Sequence, residues 1–231
     1  MNFIENESHQ KLRGGYYTPP RIASFLSRWV LESGAREILE PSCGDGVFID
    51  AMHATTQPSP TRIVACELDS EEAAKASSRA RRYKKTSTEI VCTDYLSWSL
   101  GQLAEKRTFD AVVGNPPFIR YQYLDSAQQK RAENVFSRFS LPFTKHTNAW
   151  VPFVVSSIAM LRAGGRIAMV VPAEILHVLH ATSLRSFILS ECSRVLVVDP
   201  EELMFGEALQ GVVLLLAERS SLARPGSGRL A

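Results

Sequence analysis

The chain has 231 residues, a length that suits one large domain. Hydrophobic residues make up 45% and charged residues 22%, which excludes a largely disordered or fibrous chain. Lys and Arg number 26 against 24 Asp and Glu, so the formal net charge is only +2. A nucleic-acid partner would therefore have to be held by a local basic surface, because the overall charge is nearly balanced.

The four cysteines form neither a CxxC pair nor a Cys/His zinc pattern, and most of them lie in apolar runs. We expect reduced, buried thiols of the kind found in cytoplasmic proteins. His177 and His180 are three residues apart but have no evident third ligand, so we expect no metal. Residues 1–13 are polar, unlike a signal peptide, and no apolar run is long enough to cross a bilayer, so we expect no membrane partner.

Short apolar runs rich in Val and Ile alternate along the chain with longer helical patterns. The predicted strands are Glu37–Leu39, Arg62–Cys66, Glu89–Cys92, Asp110–Val113, Arg166–Val171, Arg194–Val198 and Val212–Ala217. The predicted helices are Pro20–Ser33, Val47–Ala54, Ser70–Arg82, Leu96–Lys106, Asp125–Arg138, Ala149–Leu161 and Leu179–Cys192. This alternation predicts a doubly wound α/β sheet, in which ligands bind beyond the carboxyl ends of the strands.

Two stretches interrupt the alternation. Residues 119–148 form a long connection with only one helical pattern, and connections of this length are usually functional or mobile. Residues 220–231 are polar and contain Gly, Pro and Ser, so they predict a flexible tail or linker.

A glycine-containing turn, Glu40-Pro41-Ser42-Cys43-Gly44-Asp45-Gly46, follows the first predicted strand. Its two glycines allow a ligand to approach the backbone closely. The turn is neither a GxGxxG motif nor a P-loop, so a triphosphate is not indicated. The carboxylates of Glu40 and Asp45 would repel phosphates and suit an ammonium or sulfonium charge. Taken alone, the turn is also compatible with a simple tight connection.

Acidic residues also follow the second and third strands. Glu67 and Leu68 end the second strand, where a carboxylate can accept two hydrogen bonds from a ribose diol. Asp94 follows the third and could accept from an adenine amino group, with Tyr95 or Leu96 against the ring. Either acid could instead belong to a helix start. Acidic groups after three successive strands nevertheless predict a nucleoside site without a phosphate pocket.

The most specific motif is Asn115-Pro116-Pro117-Phe118, directly after the fourth strand. The prolines fix the backbone and restrict Asn115 to an extended geometry. The Asn115 amide oxygen and the Pro116 carbonyl are two acceptors that suit a planar NH₂ group. Phe118 offers an aromatic face on which a base could stack. The alternative is an ordinary proline-stiffened loop.

In this order the motifs resemble those of the S-adenosylmethionine-dependent N6-adenine DNA methyltransferases of restriction-modification systems. Gly15–Pro20 resembles the motif that precedes the glycine turn in one group of these enzymes, and residues 40–48 resemble their methionine-binding loop. Residues 115–122 resemble the catalytic loop and its continuation. Phe205 and Val212–Ala217 resemble the last hairpin, in which an aromatic residue faces the flipped base.

The resemblance implies the fold of a class I methyltransferase, which is Rossmann-like. Such a fold is a seven-stranded, mostly parallel sheet with helices on both faces and an antiparallel last strand. The implied organisation is a polar segment at 1–13, a catalytic domain at 14–219 and a flexible tail at 220–231, without a separate target-recognition domain. S-adenosyl-L-methionine is the implied cofactor, double-stranded DNA the implied partner, and a prokaryotic cytoplasm the implied location. Whether a separate specificity subunit or recognition domain exists stays open.

The resemblance also implies roles for individual residues. The implied cofactor contacts are Tyr17, Thr18, Glu40, Cys43, Gly44, Asp45, Gly46, Glu67, Leu68, Asp94, Tyr95 and Asn115. The implied catalytic residues are Asn115, Pro116, Pro117 and Phe118, and the residues that stack on the target base are Phe118 and Phe205. Basic and aromatic residues interleave in the long connection, and the expected nucleic-acid contacts are Arg120, Tyr121, Lys130, Arg131 and Lys145.

Other functions stay open at this point. The same loop would bind the NH₂ group of an adenine in RNA or of a glutamine amide in a protein. The short segment that carries Tyr16–Pro20 favours the DNA enzyme over the glutamine enzymes, which have a helical domain there. A non-catalytic DNA-binding subunit could keep the fold, although the intact catalytic loop disfavours it. The absent GxGxxG motif disfavours a nicotinamide-dependent dehydrogenase.

Overall fold

A computed structural model describes residues 18–144, 147–177, 181–199 and 211–221. The strands are β1 (Glu37–Glu40), β2 (Arg62–Glu67), β3 (Ser87–Cys92), β4 (Phe109–Gly114), β5 (Leu161–Pro172), β6 (Cys192–Val198) and β7 (Val212–Arg219). The helices are α1 (Pro20–Leu31), α2 (Val47–Ala54), α3 (Ser70–Ala80), α4 (Tyr95–Ala104), α5 (Ser126–Arg138), α6 (Trp150–Ala159), α7 (Glu174–His177) and α8 (Thr182–Glu191). A 3-10 turn spans Tyr121–Tyr123.

The strands form one seven-stranded sheet in the order β3-β2-β1-β4-β5-β7-β6. Strands β1 to β5 pair in parallel, and β7 runs antiparallel to both β5 and β6. The mostly parallel sheet with an antiparallel last strand is therefore confirmed. The order of strands reverses between β1 and β4, which is where ligands bind in doubly wound sheets.

Helices cover both faces of the sheet, and the alternation of side chains along each strand explains why. In β4, Val112 packs into one hydrophobic cluster while Ala111 and Val113 pack into the other. Helices α4, α5, α6 and α8 contribute to the first cluster, and α1, α2 and α3 contribute to the second. Strands buried on both faces need continuous apolar runs, which is the pattern that the sequence shows.

Three helix starts place polar side chains at defined points. The Asp69 carboxylate caps α3, and the Asp94 carboxylate caps α4 by accepting from the Ser97 backbone N–H. Asp125 and Gln128 form a capping box at the start of α5. Asp69 and Asp94 follow β2 and β3 directly, so these caps lie at the carboxyl edge of the sheet.

The largest shift from the predicted boundaries is in β5. The strand begins at Leu161, where the sequence predicted a helix reaching that residue and a strand from Arg166. Gly165 makes the longer strand possible, because a Cβ there would lie 2.9 Å from the carbonyl oxygens of Arg162 and Asp110. A residue without a side chain is thus required where β5 approaches β4.

Several other expectations meet the structure differently. The predicted helix Leu179–Cys192 corresponds to α8, which begins at Thr182, and α7 precedes it. Cys92 is exposed, whereas the other three cysteines are buried, so the expectation of a buried thiol is wrong at that position. None of the described helices is long and apolar enough to cross a membrane. The domain boundaries at 14–219 and the tail stay predictions.

Candidate active site

The candidate site lies at the carboxyl ends of β1 to β4, where a cleft opens between the glycine turn and the catalytic loop. The cleft is lined by Thr18, Ser42, Cys43, Gly44, Asp45, Val47, Phe48 and Asn115. The structure therefore brings together the segment before α1, the turn after β1 and the motif after β4. These regions are separated in sequence, and the parallel sheet joins them because the strand ends share one edge.

The turn after β1, residues 40–46 (the glycine loop below), has two residues in the left-handed backbone region. Gly44 has φ 52° and Gly46 has φ 92°. A Cβ on Gly46 would lie 3.1 Å from the Cα of Ala76 in α3, so the loop passes directly beneath that helix. The Cys43 N–H donates to the Cys66 carbonyl at 2.9 Å, which fastens the loop to the end of β2. Both glycines are therefore needed for the shape of the loop.

Glu67 fixes the glycine loop from the neighbouring strand. Its Oε2 accepts from the Gly44 N–H at 2.8 Å, and its Oε1 accepts from the Asp69 N–H at 2.9 Å. Each carboxylate oxygen can accept more than one hydrogen bond, so both remain able to accept from a diol. The half-buried Glu67 thus combines a structural role with the predicted ribose contact. Leu68 beside it is 62% exposed.

Glu40 ends β1 and is fully buried. Neither of its carboxylate oxygens has a hydrogen-bond partner among the residues that the structure describes. Burial, followed by the nearby charges of Glu67 and Asp45, raises the pKa of Glu40 well above its ordinary value. An unpartnered carboxyl group in the interior is costly unless a cationic group meets it. This carboxyl group therefore fits a ligand with an ammonium or sulfonium charge.

Asp45 is paired by the protein itself. Arg79 of α3 forms an ion pair with Asp45 and a second one with Asp50 at 2.5 Å. Tyr83 Oη also donates to Asp50, at 2.8 Å. Although burial works against it, these hydrogen bonds and the Arg79 charge lower the pKa of Asp50. Arg79 balances Asp45, whereas the acidic groups of Glu40 and Glu67 have no basic partner among the described residues.

Sequence reasoning missed Arg79. The run of basic residues at 79–85 resembles an ordinary solvated helix face, and Arg79 is 34 positions from Asp45. Only the packing of α3 over the glycine loop distinguishes Arg79 from its neighbours, so no signal in the sequence identifies it.

Asp94 and Tyr95 follow β3 and have different surroundings. Asp94 Oδ1 caps α4 and also lies 3.0 Å from Arg131 Nε in an ion pair. The Tyr95 side chain is buried, packs against Phe153 and shares a hydrogen bond of 2.8 Å with Ser157 Oγ. Burial raises the pKa of Tyr95 well above its usual range. The expected contact between the Tyr95 ring and adenine does not fit this placement, because the ring belongs to the core.

The catalytic loop, residues 115–118, lies against the glycine loop. Ser42 Oγ donates to the backbone carbonyl of Asn115 at 2.9 Å. A Cβ on Gly114 would lie 3.3 Å from Pro41 Cδ, so the two loops also approach closely at the end of β4. Pro116 is buried, and the partly buried Phe118 packs against both hydrophobic clusters. The two loops therefore lie side by side, and the role of residues 115–118 as a rigid platform stays a prediction.

The long connection corrects two of the expected nucleic-acid contacts. Tyr121 is only 7% exposed, and its hydroxyl donates to Glu133 Oε1 at 3.0 Å, so its side chain does not face a nucleic acid. Burial, followed by this hydrogen bond and the Glu133 charge, raises the pKa of Tyr121. Arg131 is paired with Asp94 instead of facing solvent. Arg120 is exposed, and the Lys130 side chain is 70% exposed, so both remain accessible.

Three of the predicted site residues lie outside the described residues: Tyr17, Lys145 and Phe205. Thr18, next to the first of them, is buried and lines the cleft. Within the described parts of the chain, no group of three His, Cys, Asp or Glu side chains is placed to hold a metal ion.

The sequence is similar to a protein family and to known proteins along most of its length. Residues 2–224 match the model of the N-6 DNA methylase family. Over 219 aligned residues, the chain is 24% identical to the Type II methyltransferase M.AccI of Acinetobacter calcoaceticus. The alignment covers 93% of this chain and 38% of that protein. It is 28% identical over 207 residues to the Type II methyltransferase M.TthHB8I of Thermus thermophilus, which covers 87% of this chain and 44% of that protein.

A solved structure has a similar fold. The methyltransferase subunit of a type I restriction-modification system from Streptococcus thermophilus matches with a TM-score of 0.69 and 19% identity, over 90% of this chain and 45% of that one. The chain thus spans less than half the length of these relatives. The sheet order and this likeness show the class I methyltransferase fold. Because the family model matches nearly every residue, the chain belongs to the N-6 DNA methylase family.

Proposed function

We propose that this chain is the catalytic domain of an S-adenosylmethionine-dependent DNA methyltransferase that modifies the N6 amino group of adenine. The observation that carries the proposal is the position of the catalytic loop. The Asn115 backbone carbonyl accepts a hydrogen bond from Ser42 of the glycine loop. The residue expected to bind the amino group that receives the methyl therefore lies beside the expected cofactor site. Membership in the N-6 DNA methylase family supports the same reaction.

The residues at the cleft fit S-adenosylmethionine. The Glu40 carboxyl group, buried without a described partner, suits the positive charge of the methionine part. Glu67 would accept from the ribose hydroxyls, and Asp94 from the adenine amino group. The glycine loop admits close approach because Gly44 has no side chain. When bound, this cofactor supplies an electrophilic methyl group.

The catalytic loop addresses the weak nucleophilicity of the target nitrogen. The lone pair of an adenine N6 is conjugated with the ring and attacks poorly. The Asn115 amide oxygen and the Pro116 carbonyl would accept its two N–H hydrogens and favour a more pyramidal nitrogen. Because prolines fix the loop, these acceptors are already in place before the base arrives. Positioning and electrostatics then supply most of the rate acceleration.

The substrate adenine must leave the duplex, because its N6 cannot be reached inside the base stack. We expect Phe118 to stack on the flipped base, together with Phe205. The exposed Arg120 and Lys130 would contact the DNA backbone, with Lys145 as the third basic residue of this set. Tyr121 and Arg131 are not included, because the structure places them on other partners.

The relatives carry further protein in which a DNA sequence could be recognised. Relatives such as M.AccI are more than twice as long as the stretch that matches here, and the Streptococcus thermophilus protein is a subunit of a larger system. We therefore propose that a separate specificity subunit or recognition domain selects the site. Restriction-modification relatives also support a location in a prokaryotic cytoplasm.

The test offers radiolabelled S-adenosylmethionine and the purified chain to unmethylated genomic DNA, total RNA and a protein extract in parallel. We expect the chain to bind S-adenosylmethionine, and the label that it transfers should be in DNA, recovered as N6-methyladenine after digestion. Asn115→Ala should reduce transfer by about 100- to 1000-fold, the range seen when one preorganised polar contact to the transition state is removed. Asn134→Ala, at an exposed position of α5, is the matched control and should retain transfer. Label confined to RNA or protein would contradict the DNA assignment. Absence of both transfer and cofactor binding would contradict the methyltransferase itself.

A further inference from the structure

The ion pair between Arg131 and Asp94 joins two parts of the molecule that the sequence keeps separate. Arg131 lies on α5, in the connection that continues from the catalytic loop, and Asp94 lies at the end of β3. The Nε–Oδ1 distance is 3.0 Å, and the two side chains are only 28% and 21% exposed. Partial burial makes such a pair stronger and less screened by salt than one at the open surface.

Both described contacts of Asp94 use the same carboxylate oxygen. Oδ1 accepts from the Ser97 N–H at 2.8 Å and faces Arg131. The first contact is a hydrogen bond and the second an ion pair, and together they hold Oδ1 in place. The contacts within the described chain leave Oδ2, the second carboxylate oxygen, for another donor. An amino group on a purine is such a donor.

Helix α5, from which the Arg131 side chain reaches Asp94, is itself held in place. Val135 and Phe136 bury one face of α5, and Glu133 accepts from the Tyr121 hydroxyl. The Gln129 side-chain amide donates to the backbone carbonyls of Tyr121 at 3.2 Å and Leu124 at 3.0 Å. The helix is therefore fastened to the segment that follows Phe118, and Arg131 projects from a rigid support.

We propose that Arg131 is a positioning residue for the adenine of the cofactor, because it orients Asp94 so that the second carboxylate oxygen accepts from the adenine amino group. This inference rests on the proposed function, since it assumes a cofactor with an adenine. It assigns to α5 a role on the cofactor side of the site, whereas the sequence pattern assigned Arg131 to the nucleic acid.

Two other roles for Arg131 make different predictions. If Arg131 only braced the fold, its loss would weaken every ligand equally and lower the melting temperature. If it contacted DNA, its loss would change DNA affinity and leave cofactor binding unaltered. A positioning residue for adenine instead affects one functional group of the ligand. The measurement must therefore compare ligands that differ at that edge of the purine and nowhere else.

The experiment measures the dissociation constants of S-adenosylhomocysteine and S-inosylhomocysteine by calorimetry. In the second ligand an oxo group replaces the amino group of the purine, and the neighbouring N1 carries a hydrogen. We expect the wild type to prefer S-adenosylhomocysteine by at least about tenfold, because a hydrogen bond to a charged acceptor is lost in the inosine form. Arg131→Gln should reduce this preference about fivefold or more. Arg131→Lys should lie between the two, because lysine keeps the charge without the fixed fork of arginine.

Two further variants test whether Arg131 acts through Asp94. Arg62→Gln breaks an ion pair of 2.9 Å with Glu89 at the amino end of β2, so it should leave the preference unchanged. Asp94→Asn keeps a capping side chain but loses the charge, and it should reduce the preference by itself. In that background Arg131→Gln should have little further effect, as expected for two residues that act through one contact.

The outcomes separate this inference from the proposed function. An unchanged preference in Arg131→Gln, or an equal weakening of both ligands, would overturn the positioning role. If Arg131→Gln does not fold, Arg131→Lys decides the question, because a wild-type preference there with a lowered melting temperature also overturns it. Failure of the wild type to bind S-adenosylhomocysteine would instead contradict the proposed function. Neither readout needs DNA or turnover.

Discussion

The glycine loop and the catalytic loop lie side by side, but they are held by different means. Charged groups hold the glycine loop, through Glu67 on the Gly44 N–H and Arg79 on Asp45. Two prolines and a neutral hydrogen bond from Ser42 contribute to holding the catalytic loop. The contrast follows the expected ligands, since a cationic cofactor needs carboxylates that must be balanced, whereas a neutral amino group needs only well-placed acceptors. The glycine loop should therefore respond to pH and salt, and the catalytic loop should not.

The largest effect is expected from Gly46→Ala, because the substitution meets both a left-handed backbone and a crowded contact. The Gly46 φ is 92°, and the new Cβ would lie 3.1 Å from Ala76 Cα. We expect the free energy of unfolding to fall by about 2–4 kcal/mol. Gly44→Ala is the matched control, since φ is 52° but nothing lies within 4 Å, and it should cost about 1–2 kcal/mol. Urea denaturation measures both, and equal losses would show that the approach of α3 is unimportant.

The second effect concerns Arg79→Gln, which removes the ion pair of Asp45 and leaves Asp50 only the more distant Arg82, at 3.8 Å. We expect a loss of about 1–2 kcal/mol in the free energy of unfolding at pH 7. Arg62→Gln, at a pair more exposed to solvent, should cost less than about 1 kcal/mol. A similar loss in both variants would contradict a special role for the Arg79 contacts.

The pH dependence of the same variant follows from Asp50, whose pKa is lowered in the folded protein. Its stabilising contribution is present above the unfolded pKa of about 3.9 and is lost as the pH falls through the lower folded pKa. The wild type should therefore lose stability more steeply than Arg79→Gln on acidification below about pH 4. Parallel curves for the two proteins would exclude this origin of the stability.

A third and smaller effect has the opposite sign. Glu40 has a raised pKa, so its contribution is most favourable below the unfolded pKa of about 4.3 and declines as the pH rises towards the folded pKa. Glu40→Gln should therefore make the ligand-free protein more stable at pH 8, by about 1 kcal/mol, while weakening cofactor binding. Glu37→Gln changes the other end of β1 and should do neither. A less stable Glu40→Gln protein would show that the buried carboxylate has a partner within the chain.

The smallest effect on stability is expected from Pro117→Ala in the catalytic loop. Loss of the proline restraint should lower the free energy of unfolding by about 0.5–1 kcal/mol, through the greater freedom of the unfolded chain. Methyl transfer should fall with it, and neither change should depend on salt concentration. Pro58→Ala, at an exposed position before β2, should give a similar loss of stability with normal transfer. A strong salt dependence for Pro117→Ala would contradict the proposed contrast between the loops.

The sequence predicted the sheet well because its determinants are local and repeated. Strands β1, β2 and β4 carry apolar runs that are followed closely by polar residues, and the parallel topology then places Glu67, Asp94 and Asn115 at one edge. The predictions that were wrong depended on the direction in which single side chains point. The buried rings of Tyr95 and Tyr121 point into the core because of how α4 and α5 pack. Period and spacing do not determine that packing, which depends on the whole tertiary structure.

The hydrogen bond from Ser42 to the Asn115 backbone has a thermodynamic consequence. If this bond couples the ordering of the two loops, the entropy lost when a ligand orders one loop need not be lost again for the other. Thermodynamic linkage then requires the effect to be reciprocal. If bound cofactor raises the affinity for the flipped base by some factor, the bound base raises the affinity for the cofactor by the same factor. By the same relation, a demethylated cofactor that loosened one loop would also loosen the other. Release of the demethylated cofactor would then favour release of the methylated base.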